Sequence, residues 1–403
     1  MHVLFLHHNF PAQFGQIAAR LVRSEGWRCT FVNEKVDGLQ GDIDCIRFRP
    51  TSGATHHNHY CSRTFENQIW RSEAVVAALI DRPDVRPDLI VAHSGFVSAL
   101  FLRELYPEVP VIGYFEWFYH RADSDFDFRR DLPLPGPAEA MRLRVRNATL
   151  LLDLQNCDAG YCPTDFQRSQ FPTEYQVKLR TIFDGIDTGF WKPIGEKPRR
   201  VAGVEIPEGH QVVTYVSRGF ESMRGFDKFL QVADGLCRDR GNLTVIVVGE
   251  DRIAYGGDNK FTGGKSFKDW VIDRRDFDLS RVHFVGRVPP DELVRVFAVS
   301  DLHLYWTVPF VLSWSLINAM ACGCKILASD TGPVREVIRE GRTGHLADFF
   351  DVSAWRAQAN AMLDSPADFA HLGGNARQVV SERFELELCL AEMKSLYAAT
   401  IGS

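Results

Sequence analysis

A chain of 403 residues, 45% hydrophobic and 24% charged, has an ordinary globular composition and exceeds one comfortable core, so two domains are expected. A net charge of −6 gives no electrostatic footprint for nucleic acid and sets that partner class aside. The nine cysteines are odd in number and scattered, with no Cys-x-x-Cys pair and no signal peptide ahead of them, which fits reduced thiols in a cytoplasm. No apolar run approaches a membrane span; a peripheral contact with the inner face of a membrane stays open, and oligomeric state has no sequence signal.

In chain order, "HVLFLHH" (2–8) reads as a strand, "PAQFGQIAARLVRSEG" (11–26) as a helix and "RCTFVNE" (28–34) as a strand. "DLIVAHS" (88–94), "PVIGYFEW" (110–117) and "LRTIFDG" (179–185) are further strands. Uniformly apolar strands alternating with helices predict a mostly parallel sheet covered on both faces. Residues 1–190 are therefore expected to form one doubly wound domain.

The Pro, Gly and charge-rich stretch 191–211 reads as a linker. The alternation then restarts with "VVTYVSR", "LTVIVVGE", "VHFVGR", "LHLYW" and "KILAS", placing a second domain at 191–385. Residues from about 366 to 399 are helical by pattern, and 386–403 is expected to pack back on the first domain. The fold class is α/β, two doubly wound Rossmann-like domains facing across a cleft. In such sheets ligands sit beyond the carboxyl ends of the strands, so function is sought in those loops.

"SRGFESMRGFDKFL" (217–230) ends a strand at Arg218, adds a second cation at Arg224 and opens a helix near Gly225. Two guanidinium forks beside a helix N-terminus suit a diphosphate; the alternative is a surface loop with two solvated arginines. In "SLINAMACGCKILASDTGPVREV" (315–337), Gly323 can cap a helix and Pro333 can begin the next one. Asn318 and Glu336 lie on or beside loops at a strand's carboxyl end.

Three other stretches carry weaker signals. "FTGGKSF" (261–267) lacks the first glycine of a phosphate loop, and no strand runs into it. "DSDFD" (123–127) lacks the Gly turn and distal Glu of a calcium loop. "THHNHY" (55–60) has no further ligand nearby and reads as a surface or acceptor-side loop. No metal site is expected, and without a Gly-rich fingerprint after the first strand a nicotinamide or flavin enzyme is disfavoured.

Taken together, three pieces make the second half resemble glycosyltransferase family 4, the retaining nucleotide-sugar enzymes of the GT-B fold. They are "SRGFESMRGFDKFL", "VHFVGRVPPDELVRVFAVSDLHLY" and "INAMACGCKILASDTGPVREVIREGRTGHL". "FDGIDTGFWKP" (183–193) resembles the family's crossover between domains. "MHVLFLHHNFPAQFGQIA", "AHSGF" and "GYFEWFYH" resemble a bacterial subgroup with its own N-terminal domain type.

The resemblance implies that Arg218 and Arg224 hold a donor diphosphate, Arg224 standing where Lys is usual. Gly286, Arg287, Ser313, Ser315, Asn318 and Glu336 would complete the donor site, with Asn318 facing the ribose. The family's two glutamates, seven residues apart, fall on Phe310 and Asn318, so both carboxylates are missing. Glu116 replaces a histidine that the family carries close to the transferring sugar. It is either a catalytic group, binding a sugar hydroxyl or taking the acceptor proton, or a structural anion.

The expected activity is a cytoplasmic, retaining, metal-independent hexosyl transfer from a nucleoside diphosphate sugar to an acceptor hydroxyl of a polysaccharide, lipopolysaccharide or natural product. No cofactor is implied beyond the donor itself. Two rivals stay open: a nucleotide-sugar epimerase on the same fold, and a sugar-nucleotide-binding protein whose catalysis has decayed.

Overall fold

The computed structural model describes residues 1–402. The chain divides into two compact units. Unit 1 takes residues 1–122, 135–185 and the segment from Glu387 onward; unit 2 takes residues 123–134 and 186–386.

Unit 1 is built on eight strands: β1 (His2–Leu6), β2 (Arg28–Asn33), β3 (Gly38–Gln40), β4 (Ile43–Arg47), β5 (Leu89–His93), β6 (Val111–Tyr114), β7 (Ala159–Cys162) and β8 (Leu179–Thr181). Their order is β3-β4-β2-β1-β5-β6-β7-β8, all parallel except the β3–β4 edge hairpin. Every residue of β1 and β5 is buried, as expected of central parallel strands with both faces covered. One face packs Leu4, Ile90, Val75, Leu79 and Leu154 into a continuous apolar core.

Unit 2 begins with a short antiparallel pair, β9 (Arg200–Val201) and β10 (Val204–Glu205), inside the stretch expected to be an irregular linker. Its turn holds Ala202 and Gly203 at positive φ, a geometry that leaves no hydrophobic periodicity to read. The main sheet comprises β11 (Gln211–Gly219), β12 (Leu243–Glu250), β13 (Val282–Gly286), β14 (Leu302–Tyr305), β15 (Ile326–Ser329) and β16 (His345–Ala347). All its pairings are parallel, in the order β13-β12-β11-β14-β15-β16.

Both sheets share one topological property. The chain first lays strands to one side of β1 or β11, then returns to lay the rest on the other side. The reversal points therefore lie between β1 and β5 in unit 1 and between β11 and β14 in unit 2. Two crossover connections leave in opposite directions there, opening a crevice at the carboxyl ends of the strands.

The unit boundaries differ from the sequence expectation in two ways. The first unit ends at Gly185 rather than residue 190, and residues 123–134 belong to unit 2 instead of the first domain. Arg129 explains the second difference. Buried in unit 2, it donates to both carboxylate oxygens of Asp227 at 3.1 and 2.7 Å and to the Ser222 carbonyl at 2.6 Å. Asp131 adds ion pairs to Arg129 and Lys228. An ion pair so enclosed fixes a segment more firmly than its neighbours in sequence do.

Candidate functional site

In unit 2 the crevice begins where β11 ends. Arg218 is exposed at the strand's end, and a 3-10 turn (Ser222–Arg224) then carries Arg224 inward. Gly225, at φ 60°, begins the helix Phe226–Asp239; a Cβ there would lie 2.6 Å from that of Trp306, so only glycine fits.

Arg224 is 4% exposed. Its hydrogen-bond partners are neutral: Thr307 Oγ1 at 2.6 Å, the Val311 carbonyl at 3.2 Å and Tyr305 Oη at 3.5 Å. Among the described residues no carboxylate lies within the 4.0 Å of an ion pair. Burial opposes its charge, but Tyr305, Tyr255 and Glu221 outweigh that and hold the group above its ordinary range. A buried guanidinium whose hydrogen-bond partners are all neutral can still take a directly bonded anion.

The helix Trp314–Ala321 follows β14 and joins the same network. Ser313 caps it, accepting the Ser315 amide at 3.3 Å, and the Ser313 amide donates to Tyr305 Oη at 3.2 Å. Ser315 Oγ donates back to the Val216 carbonyl of β11 at 3.3 Å. Asn318 is buried, and its Oδ1 has no hydrogen-bond partner. An unpaired buried acceptor costs about 1–3 kcal/mol, so this position calls for a donor. Phe310 is buried against the Tyr255 ring, 5.6 Å between centroids.

The other expected donor residues are less closely joined. Gly286 ends β13 at φ 71°, and Arg287 beside it is exposed, with no hydrogen bond or ion pair among the described residues. Glu336 follows the short helix Gly332–Arg335 and faces Arg383, whose Nη2 is 4.0 Å from its Oε1. Arg218, Arg224, Ser313 and Ser315 thus converge at the reversal point, whereas Arg287 makes no hydrogen bond or ion pair to them among the described residues.

In unit 1, β1 runs into His7 and His8, β5 ends in His93 and β6 is followed by Glu116. His7 meets His8, His93 and Phe96 at ring-centroid distances of 4.6, 4.9 and 5.1 Å. His7 Nδ1 lies 2.9 Å from the Asn9 amide, which donates to it, and 3.1 Å from the Asn9 carbonyl. His93 is 1% exposed, and its Nε2 lies 3.7 Å from Glu116 Oε2. Burial, with His7 and His8 reinforcing it, holds His93 well below the usual imidazole range. It is neutral at physiological pH. Glu116 also accepts from Gln13 at 3.3 Å, and its carbonyl takes the Gln167 side chain at 2.7 Å.

Sequence reading passed over His7, His8 and His93, although both strands were identified; their signal was an imidazole directly at the carboxyl end of an apolar run. Tyr305 and Thr307 were missed likewise. The weaker stretches have local structural roles: Ser266 of "FTGGKSF" caps the helix Phe267–Ile272, and Asp127 of "DSDFD" accepts the amides of Asp123 and Ser124. The His56 and His57 rings of "THHNHY" meet at 3.8 Å between centroids, tilted by 41°. Among the described residues no three His, Cys, Asp or Glu side chains gather as a metal site would need, and no helix is long and apolar enough to cross a membrane.

Comparison with known proteins bears on both units. Residues 25–190 match the family described as glycosyl transferase family 4 group, and residues 197–379 match glycosyl transferases group 1. Spore coat protein SA of Bacillus subtilis (strain 168) is 24% identical over 57% of this chain, a match spanning 60% of that relative's length.

Solved structures are similar over nearly the whole chain, among them these two. The sucrose-phosphate synthase of Thermosynechococcus elongatus has a TM-score of 0.73 at 18% identity, covering 99% of this chain and 98% of its own. Anabaena HepE in complex with UDP-glucose has a TM-score of 0.68 at 16% identity, covering 98% and 99%. At these identities the likeness carries the fold: two Rossmann-like domains of the GT-B type.

Proposed function

The chain belongs to the group 1, family 4 glycosyltransferases, and from that premise we propose that it is a retaining, metal-independent hexosyltransferase. It would move a hexose from a nucleoside diphosphate sugar to an acceptor hydroxyl. The observation that carries this reading is Arg224, a buried guanidinium with only neutral hydrogen-bond partners, set beside Arg218 at the reversal point of unit 2. A diphosphate supplies the missing negative charge, and two guanidinium forks can hold it without a metal. The UDP-glucose held by HepE, a neighbour of the same fold, agrees with a donor of this class.

The chemistry follows from where the charge develops. The bond from the sugar's anomeric carbon to the phosphate oxygen breaks, and a bond to the acceptor oxygen forms on the same face. The acceptor's proton passes to the departing phosphate oxygen, while Arg218 and Arg224 stabilise the charge that builds there. Asn318 Oδ1, unpaired and buried, would accept from a ribose hydroxyl. Glu116 would orient the acceptor or transferring sugar through a hydroxyl, or take the proton itself.

The test is product analysis of the whole chain with a panel of nucleoside diphosphate sugars and saccharide acceptors, with and without EDTA. A glycoside keeping the donor's anomeric configuration, formed equally with chelator, is expected. Epimerised donor without acceptor would overturn the reading, and full loss of activity with EDTA would overturn metal independence. Phe310 and Asn318 in place of two glutamates favour the binding-only alternative, for which diphosphate binding without turnover is the signature.

A further inference from the structure

The loop after β12 is tied to the turn after β11 by two reciprocal sets of hydrogen bonds. Glu221, with no exposed surface, accepts the consecutive amides of Ala254, Tyr255 and Gly256 on Oε2 at 2.9, 2.9 and 3.0 Å. Asp258 returns the connection, taking the Ser222 amide at 2.8 Å and its hydroxyl at 2.5 Å. Gly219 lets the loop approach: a Cβ there would stand 2.4 Å from the Arg252 carbonyl. A carboxylate buried to hold three amides in register specifies the position of what they carry.

What they carry is Tyr255. Its ring centroid lies 5.1 Å from the Arg224 guanidinium carbon and 5.9 Å from that of Arg218. Its hydroxyl is 3.5 Å from Arg218 Nη1, at the outer limit of a hydrogen bond, and its ring meets Phe310 edge-on at 5.6 Å between centroids. Two donors so spaced can both reach one anionic oxygen placed about 2.8 Å from each. The ring meanwhile covers the two cations with its electron-rich face.

We infer that Tyr255 is a third ligand of the donor's diphosphate, its hydroxyl acting with Arg218 on a phosphate oxygen, and that Glu221 is the positioning residue that holds it there. This rests on the proposed donor reading and deepens it. It also assigns the Glu221–Asp258 pair a purpose: a phenol on an unpinned loop would lose that placement. The loop makes the diphosphate site a two-strand construction, with cations supplied after β11 and the phenol after β12.

Calorimetric titration of the whole chain with UDP, inorganic pyrophosphate and uridine tests the inference. Tyr255→Phe keeps the ring and its contact with Phe310, and should weaken UDP and pyrophosphate by about three- to tenfold while leaving uridine unchanged. Glu221→Ala should match Tyr255→Ala in that selective loss; Glu221→Gln, which keeps an acceptor oxygen for the amides, should recover part of it. UDP affinity unchanged in Tyr255→Phe but lost in Arg218→Ala would overturn this inference alone. UDP affinity unchanged in Arg218→Ala would overturn the donor reading and this inference together.

Discussion

At the ends of β1 and β5, unit 1 gathers His7, His8, His93 and Glu116; at the ends of β11 and β14, unit 2 gathers Arg218, Arg224, Tyr305 and Thr307. The two sheets reverse in the same way, so topology gives each unit a crevice and leaves its chemistry open. Unit 2 fills its crevice with permanent positive charge, which suits an anion that stays bound. Unit 1 fills its crevice with imidazoles and a carboxylate, which can accept or give hydrogen bonds and protons. In the proposed reaction the first kind steadies a leaving group and the second handles hydroxyls.

The sharpest way to break this comparison is to remove the one carboxylate from the unit 1 cluster. Glu116→Gln keeps shape and loses basicity, so turnover should fall about a hundredfold or more with donor affinity unchanged, as single-turnover kinetics beside calorimetry would record. Unchanged turnover in a folded variant would take Glu116 out of the chemistry and leave unit 1 a binding surface.

The next effect lies in unit 2. Removing the buried cation by Arg224→Ala should weaken nucleoside diphosphate binding about ten- to a hundredfold and spare the bare nucleoside. Equal losses for the two would mean that Arg224 supports the fold instead. Asn318→Glu tests the same crevice from the other side. A carboxylate reaching the ribose should tighten ribonucleotide binding by about 1–2 kcal/mol, with a smaller gain for the 2′-deoxy form. Calorimetry with both sugars checks this, and a destabilised fold with no nucleotide preference would point to packing.

The smallest effect concerns protons. Burial in the sheet brings His303 of β14 down to about 3, and His93 lies well below its usual range. Both are neutral when folded and titrate near pH 6.5 when unfolded, so below that pH the unfolded chain binds more protons. Their contribution is complete above pH 6.5 and declines as pH falls towards the folded values. For His303 this should cost about 1 kcal/mol between pH 6.5 and 5.5, and His303→Asn should flatten that part of the melting-temperature profile.

Much of the architecture was legible because apolar strands with both faces buried carry a strong local signal. "LTVIVVGE" became β12 and "KILAS" ends as β15, and Gly323 sits at φ 74° just past the helix it was expected to cap. Pro333 likewise stands in the first turn of the helix Gly332–Arg335.

What escaped was whatever depends on partners distant in sequence. Arg129 looks like one more loop cation until Asp227, 98 residues away, is seen to hold it. Glu221 gives no sign that its partners are amides of a loop 33 to 35 residues later. The imidazoles of unit 1 meet only because β1 and β5 are neighbours in the sheet, a register that no local pattern encodes.

The chain passes from one unit to the other four times, after residues 122, 134, 185 and 386. This has a consequence for biosynthesis. All eight strands of unit 1 have been made by Thr181, yet the helix Leu386–Ile401, which buries Leu390, Met393, Leu396 and Tyr397, is translated after the whole of unit 2. Residues 123–134 wait in the opposite sense, made early and without Asp227 for roughly 100 codons. A nascent chain halted near residue 380 would carry a first unit lacking that apolar helix, so the core of the first unit is completed only after the second unit has been made.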